Sequence, residues 1–167
     1  HEQKENMGFL KELEIFAHEE NIPIIPQETV VYFRFLLQTF QPKNILEIGT
    51  AIGFSALLMA ENAPQANITT IDRNPEMIAI AKENFAKYDS RKQINLLEGD
   101  AANILTKLNG NYDFVFMDSA KSKYIVFLPT ILECLEIGGI VVLDDVFQGG
   151  DIAKPIEEVH RGQRSIY

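Results

Sequence analysis

Short apolar runs alternate with segments of helical pattern from residue 44 onward. The runs are rich in Ile, Val and Phe and mostly lack alternating polar positions, as expected for strands buried on both faces. They predict strands at Asn44–Gly49, Asn67–Asp72, Ile94–Asp100, Tyr112–Asp118 and Gly139–Asp145. The segments between them predict helices at about Phe54–Glu61, Pro75–Tyr88, Ala101–Lys107 and Lys121–Leu135.

Two further helices are predicted before the first strand, at about Gln3–Glu20 and Gln27–Phe40. The alternation of strands and helices predicts an α/β fold with a doubly wound, mostly parallel sheet and right-handed crossovers. We expect one domain over residues 1–167. Residues 1–43 supply the N-terminal helices, 44–150 the ligand-binding core and 151–167 the start of a further C-terminal part.

A glycine turn follows the first strand, with Gly49 and Gly53 before the third predicted helix. Glycines allow a tight turn and close approach to a ligand, and a helix start offers free N–H groups. Asp72 ends the second strand about 20 residues on, where an acidic side chain accepts hydrogen bonds from ribose hydroxyls. The middle glycine of the dinucleotide fingerprint is missing, which favours an adenosine cofactor without a pyrophosphate. The pattern resembles motifs I and II of class I S-adenosylmethionine-dependent methyltransferases.

Acidic residues follow the fourth and fifth strands, at Asp118, Asp144 and Asp145. Neighbouring strands would bring the three carboxylates together, and ligation by oxygen alone favours Mg²⁺, or else Ca²⁺ or Mn²⁺. The alternative is that one aspartate caps a helix and another faces water.

Lys121 follows Asp118 by three residues, and its pKa, normally roughly 10.4, would fall beside a dication. A surface lysine near an acidic cluster is the alternative.

Five segments together resemble the cation-dependent O-methyltransferases, the group that includes the catechol and caffeoyl-CoA O-methyltransferases. They are Leu46–Ser55, Ile71–Pro75, Glu98–Ala101, Phe116–Lys121 and Leu143–Val146. The similarity extends over about residues 22–150 and implies the Rossmann-like fold of a class I methyltransferase. That family ends in an antiparallel hairpin of two more strands, which is missing here, so we expect a longer intact protein.

The resemblance implies roles for particular residues. Glu47, Gly49 and Ser55 would contact the methionine part of the cofactor and Asp72 the ribose, and Asp100 and Ala101 would lie near the adenine. Ile25 falls where the family closes the cofactor cleft, and Ala51, Gly99 and Asp118 would also bind the cofactor. Asp118, Asp144 and Asp145 would hold the metal, and Lys121 would be the general base. Many members have Asn where this chain has Asp145.

The resemblance also bears on the methyl acceptor. Ile22–Glu28 and Asp144–Gly150 are similar to the bacterial branch that methylates 5-hydroxyuridine at the tRNA wobble position. This implies the tRNA anticodon loop as partner, and a homodimer. A small catechol-type substrate is the alternative, since both acceptors present a hydroxyl beside a second oxygen that can chelate a metal. A binding module for S-adenosylmethionine without turnover is the non-enzyme alternative.

Charge and composition narrow the choice of partners. The formal net charge of −9 argues against non-specific binding of nucleic acid, although Lys121, Lys123, Arg161 and Arg164 could form a local basic patch. Cys134 is the only cysteine and is expected in the core rather than as a nucleophile. Without a disulfide framework, a membrane-length apolar run or a leader pattern, a cytoplasmic protein is expected.

Overall fold

The computed structural model describes residues 6–118 and 123–144 of the chain. Two helices come first, and strands and helices then alternate. The elements are α1 (Phe9–Glu19), α2 (Gln27–Phe40), β1 (Asn44–Ile48), α3 (Phe54–Asn62), β2 (Asn67–Asp72), α4 (Pro75–Tyr88), β3 (Ile94–Glu98), α5 (Ala101–Leu105), β4 (Tyr112–Met117), α6 (Tyr124–Cys134) and β5 (Leu135–Leu143).

The five strands form one parallel sheet in the order β3-β2-β1-β4-β5. The predicted doubly wound α/β fold is therefore confirmed. The chain builds outward from β1 to β3 and then returns to place β4 on the other side of β1. This reversal of strand order creates a crevice at the carboxyl ends of β1 and β4, the usual place for a ligand in such sheets.

Side chains of the central strands alternate between two apolar cores. Phe114 and Phe116 face the layer that contains α1, α2 and α3, where the ring of Phe33 meets Phe116 edge to face at 4.6 Å between centroids. Val115 and Met117 face the other layer, which contains α6. Burial on both faces explains why these strands are almost continuously apolar.

Several element boundaries differ from the predictions for local reasons. β3 ends at Glu98, because Gly99 has a φ of +145° and Asp100 caps α5. β5 begins at Leu135, immediately after α6, and its pairing with β4 is irregular near Tyr112. α1 begins at Phe9 rather than at Gln3. None of the helices in the described part of the chain has the length and apolar character needed to cross a membrane.

Candidate functional site

The glycine turn between β1 and α3 has a tightly constrained backbone. Gly49, Ala51 and Gly53 have φ values of +103°, +46° and +84°. A Cβ atom on Gly53 would lie 2.5 Å from Cε1 of Phe85, so α4 packs directly against the turn. The second glycine of the predicted motif is therefore required for packing as well as for its backbone angle.

Asp72 holds the other side of this turn. Its Oδ2 accepts hydrogen bonds from the backbone N–H groups of Thr50 and Ala51, at 3.0 and 2.9 Å. Its Oδ1 accepts one from the N–H of Asn74 at 2.9 Å. A carboxylate has about four acceptor positions. Asp72 can therefore organise the turn and still accept a hydrogen bond from a ligand hydroxyl.

Glu47 lies beneath the turn, with no exposed surface. The Ser55 hydroxyl donates a hydrogen bond to its Oε1, and Thr70 Oγ1 donates to its Oε2 at 2.5 Å. Burial raises the pKa of Glu47 to about 8, because the two hydroxyl donors offset only part of the desolvation and the negative charges of Asp118 and Asp72 add to it. The carboxyl group of Glu47 supports the turn from below and does not line the cavities at the carboxyl ends of the strands.

A cavity of about 230 Å³ lies at the carboxyl ends of β1, β2 and β4. Six of the predicted cofactor residues line it: Gly49, Asp72, Gly99, Asp100, Ala101 and Asp118. The remaining lining residues are Ile48, Ile71, Arg73, Lys123 and Phe127. An acidic strand end, two glycine-containing loops and an apolar floor together suit a nucleoside.

A smaller cavity adjoins the first and shares Gly49 and Asp118 with it. Its wall also includes three other predicted residues, Ile25, Ala51 and Ser55. Ile25 is 4% exposed and belongs to the segment between α1 and α2, which thus lies over this end of the cleft. Gly49 and Asp118 thus form the wall that the two cavities share.

Arg73 was not among the predicted site residues. One of its guanidinium nitrogens lies 3.2 Å from Oδ2 of Asp100, while Oδ1 of Asp100 accepts the N–H of Ala102 and so caps α5. Its position directly after Asp72 was the available signal in the sequence. Phe127 gave no such signal, because it reaches the cavity only through the packing of α6 against the sheet.

Two of the predicted metal ligands lie at adjacent strand ends. Asp118 and Asp144 follow β4 and β5, whose last residues, Met117 and Leu143, are paired in the sheet. The N–H of Asp144 donates to the carbonyl of Met117 at 3.0 Å. In residues 6–118 and 123–144 there is no group of three candidate ligands, and the third predicted ligand, Asp145, lies outside these ranges, as does Lys121. The carboxylate donors present suit a hard cation such as Mg²⁺.

Comparison with known proteins gives the family. A family profile described as "O-methyltransferase" matches residues 2–166, nearly the whole chain. The chain belongs to this O-methyltransferase family. The family predicted from the motifs is thereby confirmed, whereas the branch that acts on tRNA stays a prediction.

Two relatives illustrate the similarity. The chain is 38% identical to the O-methyltransferase ankF of Aspergillus thermomutatus over 71% of its own length and 52% of that protein. It is 31% identical to a caffeoyl-CoA O-methyltransferase of Stellaria longipes, over 75% and 55% of the two lengths. The chain thus spans about half the length of these relatives.

A solved structure agrees with the fold. The S-adenosylhomocysteine-bound methyltransferase PaMTH1 of Podospora anserina superposes with a TM-score of 0.86 at 29% identity. The match covers 98% of this chain and 74% of that structure. The expected class I methyltransferase fold is therefore confirmed.

Proposed function

We propose that the protein transfers the methyl group of S-adenosylmethionine to a hydroxyl oxygen. The observation that carries this proposal is the pair of adjoining cavities that share Gly49 and Asp118. The larger one offers Asp72 and the Gly99–Ala101 loop to an adenosine, and Ser55 and Ile25 border the smaller one, of about 10 Å³, toward which the amino-acid part of the cofactor would extend. Family membership and an S-adenosylhomocysteine-bound structural relative support the same cofactor.

The residues of the cleft would divide the binding between them. The one acceptor position of Asp72 that no backbone N–H group occupies suits a ribose hydroxyl. Ala101 and the adjacent Asp100–Arg73 pair border the far end of the larger cavity, where the adenine would lie. The methyl group would then point toward Asp118, where the two cavities meet. Holding both reactants in this cleft would supply a large part of the rate enhancement.

We further propose that the reaction depends on a divalent metal held by Asp118, Asp144 and Asp145. Carboxylate oxygens at two adjacent strand ends are the donors that Mg²⁺, Ca²⁺ or Mn²⁺ prefer. A bound dication would favour the ionised form of the acceptor hydroxyl. Lys121 is proposed as the group that accepts the hydroxyl proton, and Asp118 would keep the acceptor beside the cofactor.

The acceptor most consistent with the relatives is a small catechol-type diol. One relative is a caffeoyl-CoA O-methyltransferase, and the net charge of −9 does not favour a polyanionic partner. The second candidate is 5-hydroxyuridine in the tRNA anticodon loop. It is favoured by the Ile22–Glu28 segment, whose Ile24 and Ile25 border the smaller cavity.

A single assay separates these possibilities. The purified protein is incubated with methyl-labelled S-adenosylmethionine and either a catechol or tRNA that lacks the wobble modification, with Mg²⁺ or with a chelator. With Mg²⁺ we expect the labelled methyl group to appear in one of the two acceptors. With chelator we expect neither acceptor to be labelled. Label in catechol alone would contradict the tRNA candidate, and turnover that persists in chelator would contradict the metal. Binding of S-adenosylhomocysteine without transfer to either acceptor would favour the non-enzyme alternative.

Two substitutions test the assigned roles. Lys121→Ala should abolish turnover while it leaves the affinity for S-adenosylhomocysteine unchanged, because a general base does not bind the cofactor. Lys107→Ala, which changes an exposed lysine after α5, is the matched control and should keep full activity. Equal activity in the two variants would remove Lys121 from the mechanism. Light scattering on the same samples checks the predicted homodimer.

A further inference from the structure

A chain of buried hydrogen bonds runs beneath the glycine turn and has no assigned role. It begins at Ser55 on α3, passes through Glu47 on β1 and continues to Thr70 on β2. From Thr70 it returns to the turn, because the Oγ1 atoms of Thr70 and Thr50 lie 2.6 Å apart. Thr70 has no exposed surface, and Thr50 is 1% exposed. The chain therefore connects three elements that border the cleft.

Thr70 is the group through which the carboxyl of Glu47 is linked to the turn. Thr70 lies directly opposite Glu47 in the parallel pairing of β1 and β2. A hydroxyl has one proton to donate and can accept from another donor. When Thr70 donates to Glu47, the hydroxyl of Thr50 donates to Thr70, and when a protonated Glu47 donates to Thr70, the hydroxyl of Thr70 donates to Thr50. Loss of the Thr70 hydroxyl thus removes both hydrogen bonds together.

The turn has two anchors on the same face of β2. Asp72 accepts the backbone N–H groups of Thr50 and Ala51, while Thr70 holds the side chain of Thr50. Ala51 adopts a left-handed conformation, with a φ of +46°, that is unfavourable for a non-glycine residue. Gly49, directly before Thr50, lines both cavities. The backbone of the turn is also held by the N–H of Gly49, which donates to the carbonyl of Ile71 at 2.9 Å, so the hydroxyl of Thr70 adds the contact that fixes the side chain of Thr50.

We propose that Thr70 is a positioning residue for the cofactor, whose hydroxyl fixes Thr50 and with it the Gly49 wall that the two cavities share. This inference rests on the proposed function. Thr70 acts through Thr50 and does not itself line either cavity. Its contribution is to keep the turn in the shape that the cofactor requires before the cofactor binds, which avoids an ordering cost at binding.

The test compares three variants of one strand. Thr70→Val removes the hydroxyl at nearly constant shape, Thr70→Ser keeps the hydroxyl, and Thr69→Val makes the same change at the adjacent, half-buried residue. We expect calorimetry to show binding of S-adenosylhomocysteine about tenfold weaker for Thr70→Val, a loss comparable to one net hydrogen bond. Thr70→Ser should restore most of the affinity, and Thr69→Val should match the wild type.

The kinetic readout separates positioning from mere stability. In Thr70→Val the KM for S-adenosylmethionine should rise about tenfold while kcat at saturation changes by less than about twofold. A purely structural role would lower the melting temperature but leave the affinity of the folded protein unchanged, and that result would overturn the inference. Wild-type protein that fails to bind S-adenosylhomocysteine would instead overturn the proposed function.

A second variant keeps the test decisive if Thr70→Val does not fold. Thr50→Val removes the same hydrogen bond from the side of the turn and leaves the hydrogen bond from Thr70 to Glu47 in place. Because Thr50 also lines the smaller cavity, Thr50→Ser, which keeps the hydroxyl, is its control and should bind like the wild type. The same loss of affinity, about tenfold, is expected. Unchanged affinity in Thr50→Val would overturn the inference, because it would show that the side-chain anchor does not affect the cleft.

Discussion

Glu47 shows at the scale of a single residue how burial in this fold changes ionisation. Its pKa is raised from an ordinary 4.5 to about 8, so folded protein retains a proton that the unfolded chain loses between these values. The folded state then binds more protons, and stability falls as pH rises through this window. Below pH 4.5 the Glu47 carboxyl is protonated in both the folded and the unfolded state, and above about pH 8 it is ionised in both, so the loss of stability is then complete.

We therefore expect Glu47→Gln to flatten the pH dependence of unfolding. Relative to this variant, wild-type stability should fall by up to about 1.4 kcal/mol for each pH unit between the two pKa values. Urea unfolding between about pH 5 and pH 9, in chelator so that metal ligands do not contribute, measures the difference. Parallel pH profiles for the two proteins would contradict a proton held on Glu47.

Gly53 and Gly138 offer a matched pair of glycines. Their φ values are +84° and +86°, but a Cβ at Gly53 would overlap the ring of Phe85, whereas a Cβ at Gly138 would meet nothing within 4 Å. Gly138→Ala should therefore lower the free energy of unfolding by about 1–2 kcal/mol, because of the left-handed backbone conformation alone. Gly53→Ala should cost about 1–3 kcal/mol more because of the overlap.

The free energy of unfolding in urea checks this difference. In a Phe85→Leu background, Gly53→Ala should lower the free energy of unfolding by less than it does in the wild-type background, because the ring that the new methyl group overlaps is then absent. If both alanine variants lose the same stability, the close packing of α4 against the turn is not a feature of the folded protein.

At the scale of elements, two aspartates hold the amino ends of strands. The carboxylate of Asp113 on β4 accepts the N–H groups of Lys43 and Asn44 at 2.8 and 2.9 Å, at the start of β1. Asp89 does the same for Gln93 and Ile94 at the start of β3. Each satisfies two backbone donors where a parallel strand begins.

We expect Asp113→Ala to destabilise the protein by about 1–3 kcal/mol, because two backbone donors lose their acceptor. The affinity for S-adenosylhomocysteine should not change, since Asp113 lies at the opposite edge of the sheet from the cleft. Urea unfolding and calorimetry on the same samples measure both quantities. If the affinity for S-adenosylhomocysteine fell together with the stability, the contacts of Asp113 at the amino ends of the strands would not be independent of the cleft at their carboxyl ends.

The elements also show which features the sequence could predict. β1, β2 and β4 were predictable because burial on both faces leaves short runs rich in apolar and β-branched residues, and Asp72 because it ends such a run. The position of Glu47 was not predictable, because its contacts depend on Thr70 across the sheet. Phe127 was not predictable for a similar reason, since it reaches the cavity only through the packing of α6, whereas Arg73 could have been found by its position directly after Asp72.

At the scale of the whole molecule, the strand order places the site. Because the order reverses beside β1, residues from distant parts of the sequence, such as Asp72 and Asp118, line one cavity. The family assignment came from short motifs at these strand ends. The acceptor could not be predicted in the same way, because the motifs describe the cofactor half of the site.

Binding of the cofactor should stabilise the entire fold. A ligand at about 100 times its Kd adds roughly 2.7 kcal/mol to the free energy of unfolding. For a domain of this size, each kcal/mol raises the melting temperature by about 2–4 °C. We therefore expect S-adenosylhomocysteine at that concentration to raise the melting temperature by about 5–11 °C.

The dinucleotide NAD⁺ is the informative control, because it shares the adenosine but adds a pyrophosphate. The turn from Gly49 to Gly53 lacks the middle glycine that lets the backbone approach a pyrophosphate. NAD⁺ at the same concentration should therefore leave the melting temperature unchanged. A larger shift with NAD⁺ than with S-adenosylhomocysteine would mean that the cleft selects a dinucleotide, and it would contradict the cofactor inferred from the turn and Asp72.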